Sequence, residues 1–229
     1  MDVAVLISGG KDSALALYRV LRIGYTVKYL VTMIPQREDS WLFHYPNIGL
    51  THLFAEAVGI QLVKAETTGI KEEELEDLKN LLKTLDVEGI VSGAISSQYQ
   101  KKRIDQVCVE LGFRSIAPLW HEDPVKLMDE LIKLGFQVII TGVYAYGFDQ
   151  RWIGRIIDAA VLRDLIELNK KYEVSITGEG GEYETLVLDA PYFRKKINIT
   201  KARIEWKGNA GQLIVQEAEL RERSPYNRS

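Results

Sequence analysis

The sequence predicts an α/β fold: a doubly wound parallel sheet followed by a smaller C-terminal α+β domain. Three observations lead there. Short β-branched runs alternate with helix-period stretches through the first half of the chain. Those runs are nearly continuous in apolar residues, as strands covered on both faces are. After about residue 120 the alternation gives way to longer strand-like segments joined by polar turns.

In order, "DVAVLI" (2–7) reads as the first strand, and residues 12–23 carry helical periodicity through Ala14, Leu15, Leu17, Tyr18 and Leu21. "TVKYLVTMI" (26–34) is a second strand. The irregular "PQREDSWLFHYPN" follows, then a helix through Leu53, Phe54 and Ala57 that stops at Gly59. "IQLVKAE" (60–66) is a third strand and "KEEELEDLKNLLKTL" an acidic helix. "GIVSGAI" (89–95) is a fourth strand, leading into a helix over about 98–111. Beyond "PLWHED" come a helix, "PVKLMDELIKLG", a strand, "FQVIITGVYA", and an amphipathic helix over 158–172. "ETLVLDAPYF", "KKINITKARIEWK" and "GQLIVQEAELR" read as antiparallel strands. The expected division is a first domain over 1–120, a smaller second domain over 121–222 and a disordered tail over 223–229.

Composition narrows the function classes. Hydrophobic residues make up 46% of the chain, enough for a sizeable core. The net charge of −3, with both signs interspersed, lacks the basic footprint of a general nucleic-acid binder, so no stable nucleic-acid binding is expected. No apolar run approaches the roughly 18 residues of a membrane span. "DVAVLI" reads as a strand rather than a leader, so the expected location is cytoplasmic, away from the membrane. One cysteine, Cys108, allows neither a disulfide nor a thiolate metal site within one chain. A homodimer is compatible with all of this.

The stretch "SGGKDS" (8–13) lies between the first strand and the first helix. It fails the G-x-x-x-x-G-K-[ST] pattern twice: Lys11 is followed by Asp12, and Val5 stands where the first glycine belongs. No G-x-G-x-x-G is present either. What remains is an anion cradle. Gly9 and Gly10 let the backbone turn its N–H groups inward, and Ser8 and Ser13 add hydroxyls. The following helix presents the positive end of its dipole. Lys11 supplies a full charge, and Asp12 is a candidate ligand for Mg²⁺. The competing reading is a plain helix cap at Asp12 or Ser13.

Placed after a first parallel strand, "SGGKDS" resembles the PP-loop of the N-type ATP pyrophosphatases, whose fold is similar to that of adenine nucleotide α-hydrolases. The resemblance implies that the loop holds the β and γ phosphates as leaving pyrophosphate while a nucleophile attacks the α phosphorus. Lys11 and Asp12 would be the catalytic pair. The lone Cys108, within an amphipathic "IDQVCVELG", argues against the sulfur-transferring members. With no glutaminase module in sight, an amidating member of this build would take free ammonia.

Two later stretches narrow the family. "SGAISSQYQKKRID" (92–105) turns from a strand end into a helix, where a doubly wound sheet binds its ligand. Gly93 would allow close approach of the nucleotide, Arg103 would reach a phosphate, and Ser96, Tyr99 and Gln100 are candidates for substrate contact. A capped helix with a solvated basic face is the simpler reading. "TGEGGEYETLVLDAPYF" (177–193) carries Glu179, Glu182 and Glu184 at a glycine-rich turn. If residues from 182 are extended, Glu182 and Glu184 share a face and Tyr183 points away. Carboxylates gathered there suit a cation such as ammonium, Mg²⁺ or a quaternary amine. An exposed acidic hairpin is the alternative.

Together "SGGKDS", "GAISSQYQKKR" and "GEGGEYETL" resemble the diphthine–ammonia ligase family over essentially the whole chain, in its short archaeal-like form. The resemblance implies ATP-dependent amidation of diphthine, a modified histidine on translation elongation factor 2, with ammonium as nitrogen source. The products would be diphthamide, AMP and pyrophosphate, formed through an acyl-adenylate. Diphthine carries a trimethylammonium group, and Glu182, Tyr183 and Glu184 are candidates for its pocket. His44 and Asn47, after the second strand, are further candidates in a substrate lid or a packed loop. Gly147, with Tyr144 and Tyr146 in "VYAYGFDQRWIGR", could add to the substrate site or serve aromatic packing. Two other functions fit the phosphate loop: an ATP pyrophosphatase that modifies tRNA, and a passive adenine-nucleotide binder.

Overall fold

The computed structural model describes residues 1–36, 47–68 and 71–223, with only the backbone of 71–72. His44, most of the 35–47 stretch and tail residues 224–229 lie outside the described residues. The chain forms two compact units, Met1–His121 and Glu122–Ser229.

The first unit is a five-stranded parallel sheet in the order β3-β2-β1-β4-β5, built from β1 (Asp2–Leu6), β2 (Thr26–Pro35), β3 (Gln61–Thr67), β4 (Gly89–Val91) and β5 (Arg114–Ile116). Its helices are α1 (Lys11–Arg22), α2 (Thr51–Val58), α3 (Lys71–Leu82) and α4 (Gln98–Leu111). Strand alternation divides the core. Ala4, Val31, Met33 and Ile90 pack with Leu78 and Leu82 of α3 and with Ile104, Val107 and Cys108 of α4. Val3, Val5 and Leu30, also fully buried, point to the opposite face. There the right-handed crossovers through α1 and α2 return to the sheet. Gly59 and Gly112 end α2 and α4 in the left-handed conformation.

The sequence-based elements stand, apart from differences such as the strand read over "ETLVLDAPYF", which stops at Asp189. Two of the differences bear on the site. The fourth strand stops at Val91 rather than residue 95. Ser92, Ala94 and Ile95 are still buried, so their apolar character belongs to a packed turn rather than to a strand. A fifth strand, Arg114–Ile116, pairs with β4 although the sequence showed no strand there.

The second unit is a four-stranded antiparallel sheet in the order β7-β6-β9-β8, from β6 (Gln137–Val143), β7 (Tyr183–Asp189), β8 (Lys195–Lys207) and β9 (Ala210–Glu222). Two helices accompany it, α5 (Pro124–Lys133) and α6 (Ala159–Tyr172). Asp123 caps α5 by accepting from the Lys126 N–H at 2.9 Å, with Pro124 in the first turn. Asp158 caps α6 by accepting from the Ala160 and Val161 N–H groups. Among the described residues no helix is long and apolar enough to cross a membrane.

Candidate active site

The order β3-β2-β1-β4-β5 makes the chain leave β1 and β4 in opposite directions, and a doubly wound sheet binds its ligand at the carboxyl ends of such a strand pair. "SGGKDS" emerges from β1 and "SGAISS" from β4, so the topology brings these two turns together.

Within the first turn, Gly9 has φ +83°, a conformation that favours glycine. Gly10 is the extended residue before α1, and no side chain caps the helix there. The serine hydroxyls brace the turn. Ser8 Oγ and Ser13 Oγ lie 3.3 Å apart, Gly10 N–H donates to Ser8 Oγ at 3.3 Å, and Ser13 Oγ donates to the Gly10 carbonyl at 3.1 Å. Lys11 is only 3% exposed, and its Nζ lies 2.9 Å from Asp12 Oδ2 on a side chain 33% exposed. The result is a braced loop, an uncapped helix N-terminus and a buried lysine paired with a half-exposed carboxylate. That combination fits a polyphosphate.

Gly93 stands directly against this turn. A Cβ on it would lie 2.7 Å from Ser13 N and 2.8 Å from the Asp12 carbonyl carbon. Its missing side chain therefore admits the first turn of α1, where the sequence suggested room for the nucleotide. Ser96 is exposed, and Ser97 caps α4 by accepting from the Gln100 N–H. The Arg103 guanidinium lies 4.3 Å over the Tyr99 ring, and its Nη1 donates to the Tyr99 hydroxyl. These two candidates thus form one half-buried unit on the second turn of α4. The His121 N–H donates to the Ile95 carbonyl at 2.8 Å, and Arg19 Nη1 to the Pro118 carbonyl at 2.8 Å. The "PLWH" segment is thereby fastened to the same end of the sheet. Asn47 opens a 3-10 turn (Asn47–Leu50) before α2. Cys108 is buried, and burial pushes its thiol up to about 11, which keeps it out of nucleophilic chemistry near neutral pH.

In the second unit, Glu179, Glu182, Tyr183 and Glu184 surround the turn into β7. Tyr183 is 3% exposed, donates its hydroxyl to the Ile176 carbonyl at 2.7 Å and packs 5.9 Å from the Phe148 ring. Its ring belongs to the core of this unit. Glu182 and Glu184 are half-buried. Glu182 Oε1 accepts from the Ser175 N–H at 3.1 Å, while its Oε2 is buried with no hydrogen-bond partner among the described residues. A Cβ at Gly180 would lie 2.8 Å from Glu182 Oε1, so that glycine makes room for the carboxylate. Gly147, at φ +103°, would press a Cβ to within 2.5 Å of the Tyr172 ring; packing explains this glycine. Gly142 was not singled out in the sequence. An isolated glycine inside a strand pattern was the available signal, and it lies under the Tyr144 ring.

Among the described residues no group of three or more His, Cys, Asp or Glu side chains is placed to hold a metal ion. Asp12, partly exposed beside the turn, is a carboxylate of the type Mg²⁺ takes when it accompanies phosphates.

Comparison with known proteins covers both units. Residues 1–115 match the diphthamide synthase N-terminal domain, and residues 123–220 the diphthamide synthase C-terminal domain. The diphthine–ammonia ligases of Bos taurus and Homo sapiens are each 35% identical over 227 residues, covering 89% of this chain and 85% of theirs. That of Schizosaccharomyces pombe is 35% identical over 224 residues, and the chain spans 37% of its length. A solved structure titled a predicted subunit of tRNA methyltransferase from Methanocaldococcus jannaschii is similar over 83% of this chain and 97% of that one. Its 18% identity and TM-score of 0.45 are too slight to carry an argument.

Proposed function

The chain belongs to the diphthamide synthase family of diphthine–ammonia ligases, and from that premise we propose that it amidates the diphthine carboxylate of translation elongation factor 2 with ammonia. ATP drives the reaction, cleaved between its α and β phosphates. The observation that carries this reading is the braced Ser8–Ser13 turn at the switch point of the sheet, with Lys11 buried beside it.

The chemistry balances in two steps. A carboxylate oxygen of diphthine attacks the α phosphorus, the α–β bond breaks, and pyrophosphate leaves with both electrons of that bond. Ammonia then attacks the acyl carbon of the acyl-adenylate, AMP departs with the former carboxylate oxygen, and one proton is released. The protein's work in the first step is electrostatic. The Gly9 N–H, the positive end of α1 and the Lys11 ammonium would face the charge that grows on the leaving pyrophosphate, while the Ser8 and Ser13 hydroxyls, bonded within the turn, hold its shape. Because the turn is already braced, little reorganisation is needed as that charge develops. Mg²⁺, when bound with the nucleotide, supplies further neutralisation, and Asp12 would hold it. Gly93 positions the first turn of α1, and the Tyr99–Arg103 pair, with Ser96 and Gln100, offers donors beside the cradle. Glu179, Glu182 and Glu184 suit the cationic partners, ammonium and the trimethylammonium of diphthine. A cytoplasmic location follows from the substrate, and a homodimer remains compatible.

The reading is tested by product analysis. With Mg²⁺-ATP, ammonium and diphthine-bearing elongation factor 2, AMP and pyrophosphate should form in equal amounts, and only when all components are present. ADP as the nucleotide product would overturn it. Cleavage without elongation factor 2 but stimulated by tRNA would favour the RNA-modifying alternative.

A further inference from the structure

The second unit presents a shaped face that the glutamate motif alone does not explain. In the pairing of β6 with β7, Val143 stands opposite Tyr183 and Gly142 opposite Glu184. The Tyr144 N–H donates to the Glu182 carbonyl at 2.9 Å, which continues the register and sets Tyr144 against Glu182. Opposed residues of an antiparallel pair share a face, as do residues two apart on one strand. Tyr144, Glu182, Glu184 and the bare Cα of Gly142 therefore lie on one side of the sheet. Tyr183 lies on the other, in the core.

Each member of this face is held. A Cβ on Gly142 would lie 2.5 Å from Tyr144 Oη and 2.9 Å from two of its ring carbons, so the ring rests across the glycine. The phenol donates to Glu184 Oε2 at 3.3 Å. Burial, with the Glu184 charge beside it, raises the phenol well above its ordinary range, so it stays a neutral donor. Even so the residue is 39% exposed, which leaves part of the aromatic ring open to solvent. In the adjoining turn Glu182 keeps a buried carboxylate oxygen with no hydrogen-bond partner among the described residues. A buried acceptor left unmatched is costly, and a positive charge nearby offsets that cost without having to supply an N–H. An electron-rich ring face attracts the same kind of ligand. The combination suits a cation, and one with an apolar surface gains in addition from contact with the ring.

We propose that Tyr144, laid over Gly142 and tied to Glu184, is the specificity-determining residue that receives a quaternary ammonium group of the substrate, with Glu182 supplying the countercharge. This deepens the diphthine reading and rests on it. It moves the aromatic wall of the cation pocket from Tyr183, where the sequence put it, to Tyr144.

The test uses the full chain and two small probes, choline and its neutral isostere 3,3-dimethylbutan-1-ol, followed by NMR of ring-labelled tyrosine with the Tyr144 signal assigned from Tyr144→Phe. Choline should shift the Tyr144 ring signal saturably and the isostere should not. Tyr144→Phe should still bind choline, with the shift followed by ring-labelling the phenylalanines of that variant. Tyr144→Ala should weaken choline binding about 2- to 30-fold, the span expected of one cation–π contact. In the amidation assay Tyr144→Ala should raise KM for diphthine-bearing elongation factor 2 by a similar factor, with kcat and KM for ATP nearly unchanged. Equal shifts from both probes, no shift from choline, or an unchanged KM in Tyr144→Ala would each overturn the proposal. The two readings fail separately. Selective choline binding at Tyr144 in a protein that amidates nothing would sink the diphthine assignment and keep the cation site. Amidation indifferent to Tyr144→Ala would do the reverse.

Discussion

Lys11→Ala should lower kcat/KM for ATP by about 10²–10³-fold while leaving a folded protein. Removing one preorganised group that stabilises developing charge costs about 2.7–4 kcal/mol in comparable sites. Lys11 is a group of that kind: buried, at the first position of α1, within a turn braced by Ser8 and Ser13. The fold should tolerate the change because Asp12, its partner at 2.9 Å, is partly exposed and can be rehydrated. Lys11→Arg should recover only part of the loss, since a planar guanidinium does not reproduce a compact ammonium in a tight cradle. Pyrophosphate release measured against ATP concentration, with circular dichroism to verify folding, checks this. Near-normal turnover in Lys11→Ala would remove Lys11 from the mechanism.

Gly93→Ala should be the second large effect, and it acts through backbone rather than charge. The new methyl would lie 2.7 Å from Ser13 N and 2.8 Å from the Asp12 carbonyl carbon, atoms that cannot swing aside as a side-chain tip can. Either α1 or the turn after β4 must shift. Overpacking of this kind costs about 1–3 kcal/mol. Because the displaced atoms belong to the turn proposed to hold the phosphates, activity should fall further than stability does. A misplacement near 1 Å is worth roughly 10²-fold in rate. Gly112→Ala is the matched control. Gly112, unlike Gly93, adopts a positive φ, +76°, and an added Cβ there would meet nothing within 4 Å. That variant should lose about 1–2 kcal/mol from backbone strain alone, or roughly 2–8 °C in Tm, and keep its turnover. Thermal melts beside kinetic assays separate the two. Similar activity in both variants would mean that Gly93 has no special relation to the cradle.

These contrasts also mark what the sequence could and could not reveal. Alternating apolar runs and helix periods were enough for the parallel sheet and its helices, because strands covered on both faces leave a strong compositional trace. Arg114–Ile116 left none. Three residues, two of them exposed, form a strand there only because β4 offers an edge to pair with. "SGAI" misled in the other direction: its burial comes from packing at the end of the sheet, which apolar composition cannot distinguish from a strand. The Ser8–Ser13 turn stood out because its pattern is local, six consecutive residues between a strand and a helix. Gly93 was singled out for its position at a strand end, but its actual neighbours, Asp12 and Ser13, are distant in sequence and no local pattern names them. The same holds for the face that carries Tyr144. Alternation correctly set Tyr183 apart from Glu182 and Glu184, yet period-2 logic does not say which side of a strand is the core. Only the pairing with β6 brings Tyr144 and Gly142 beside the glutamates.

The most direct test of the central claim, that the carboxylate is activated at the α phosphorus, is the fate of its oxygen. Diphthine-bearing elongation factor 2 labelled with ¹⁸O in both carboxylate oxygens should be amidated under single-turnover conditions and the nucleotide examined by mass spectrometry. If the carboxylate attacks the α phosphorus and ammonia then expels AMP, every AMP formed carries one ¹⁸O and the pyrophosphate carries none. Label in inorganic phosphate alongside ADP, or AMP free of label, would contradict the account.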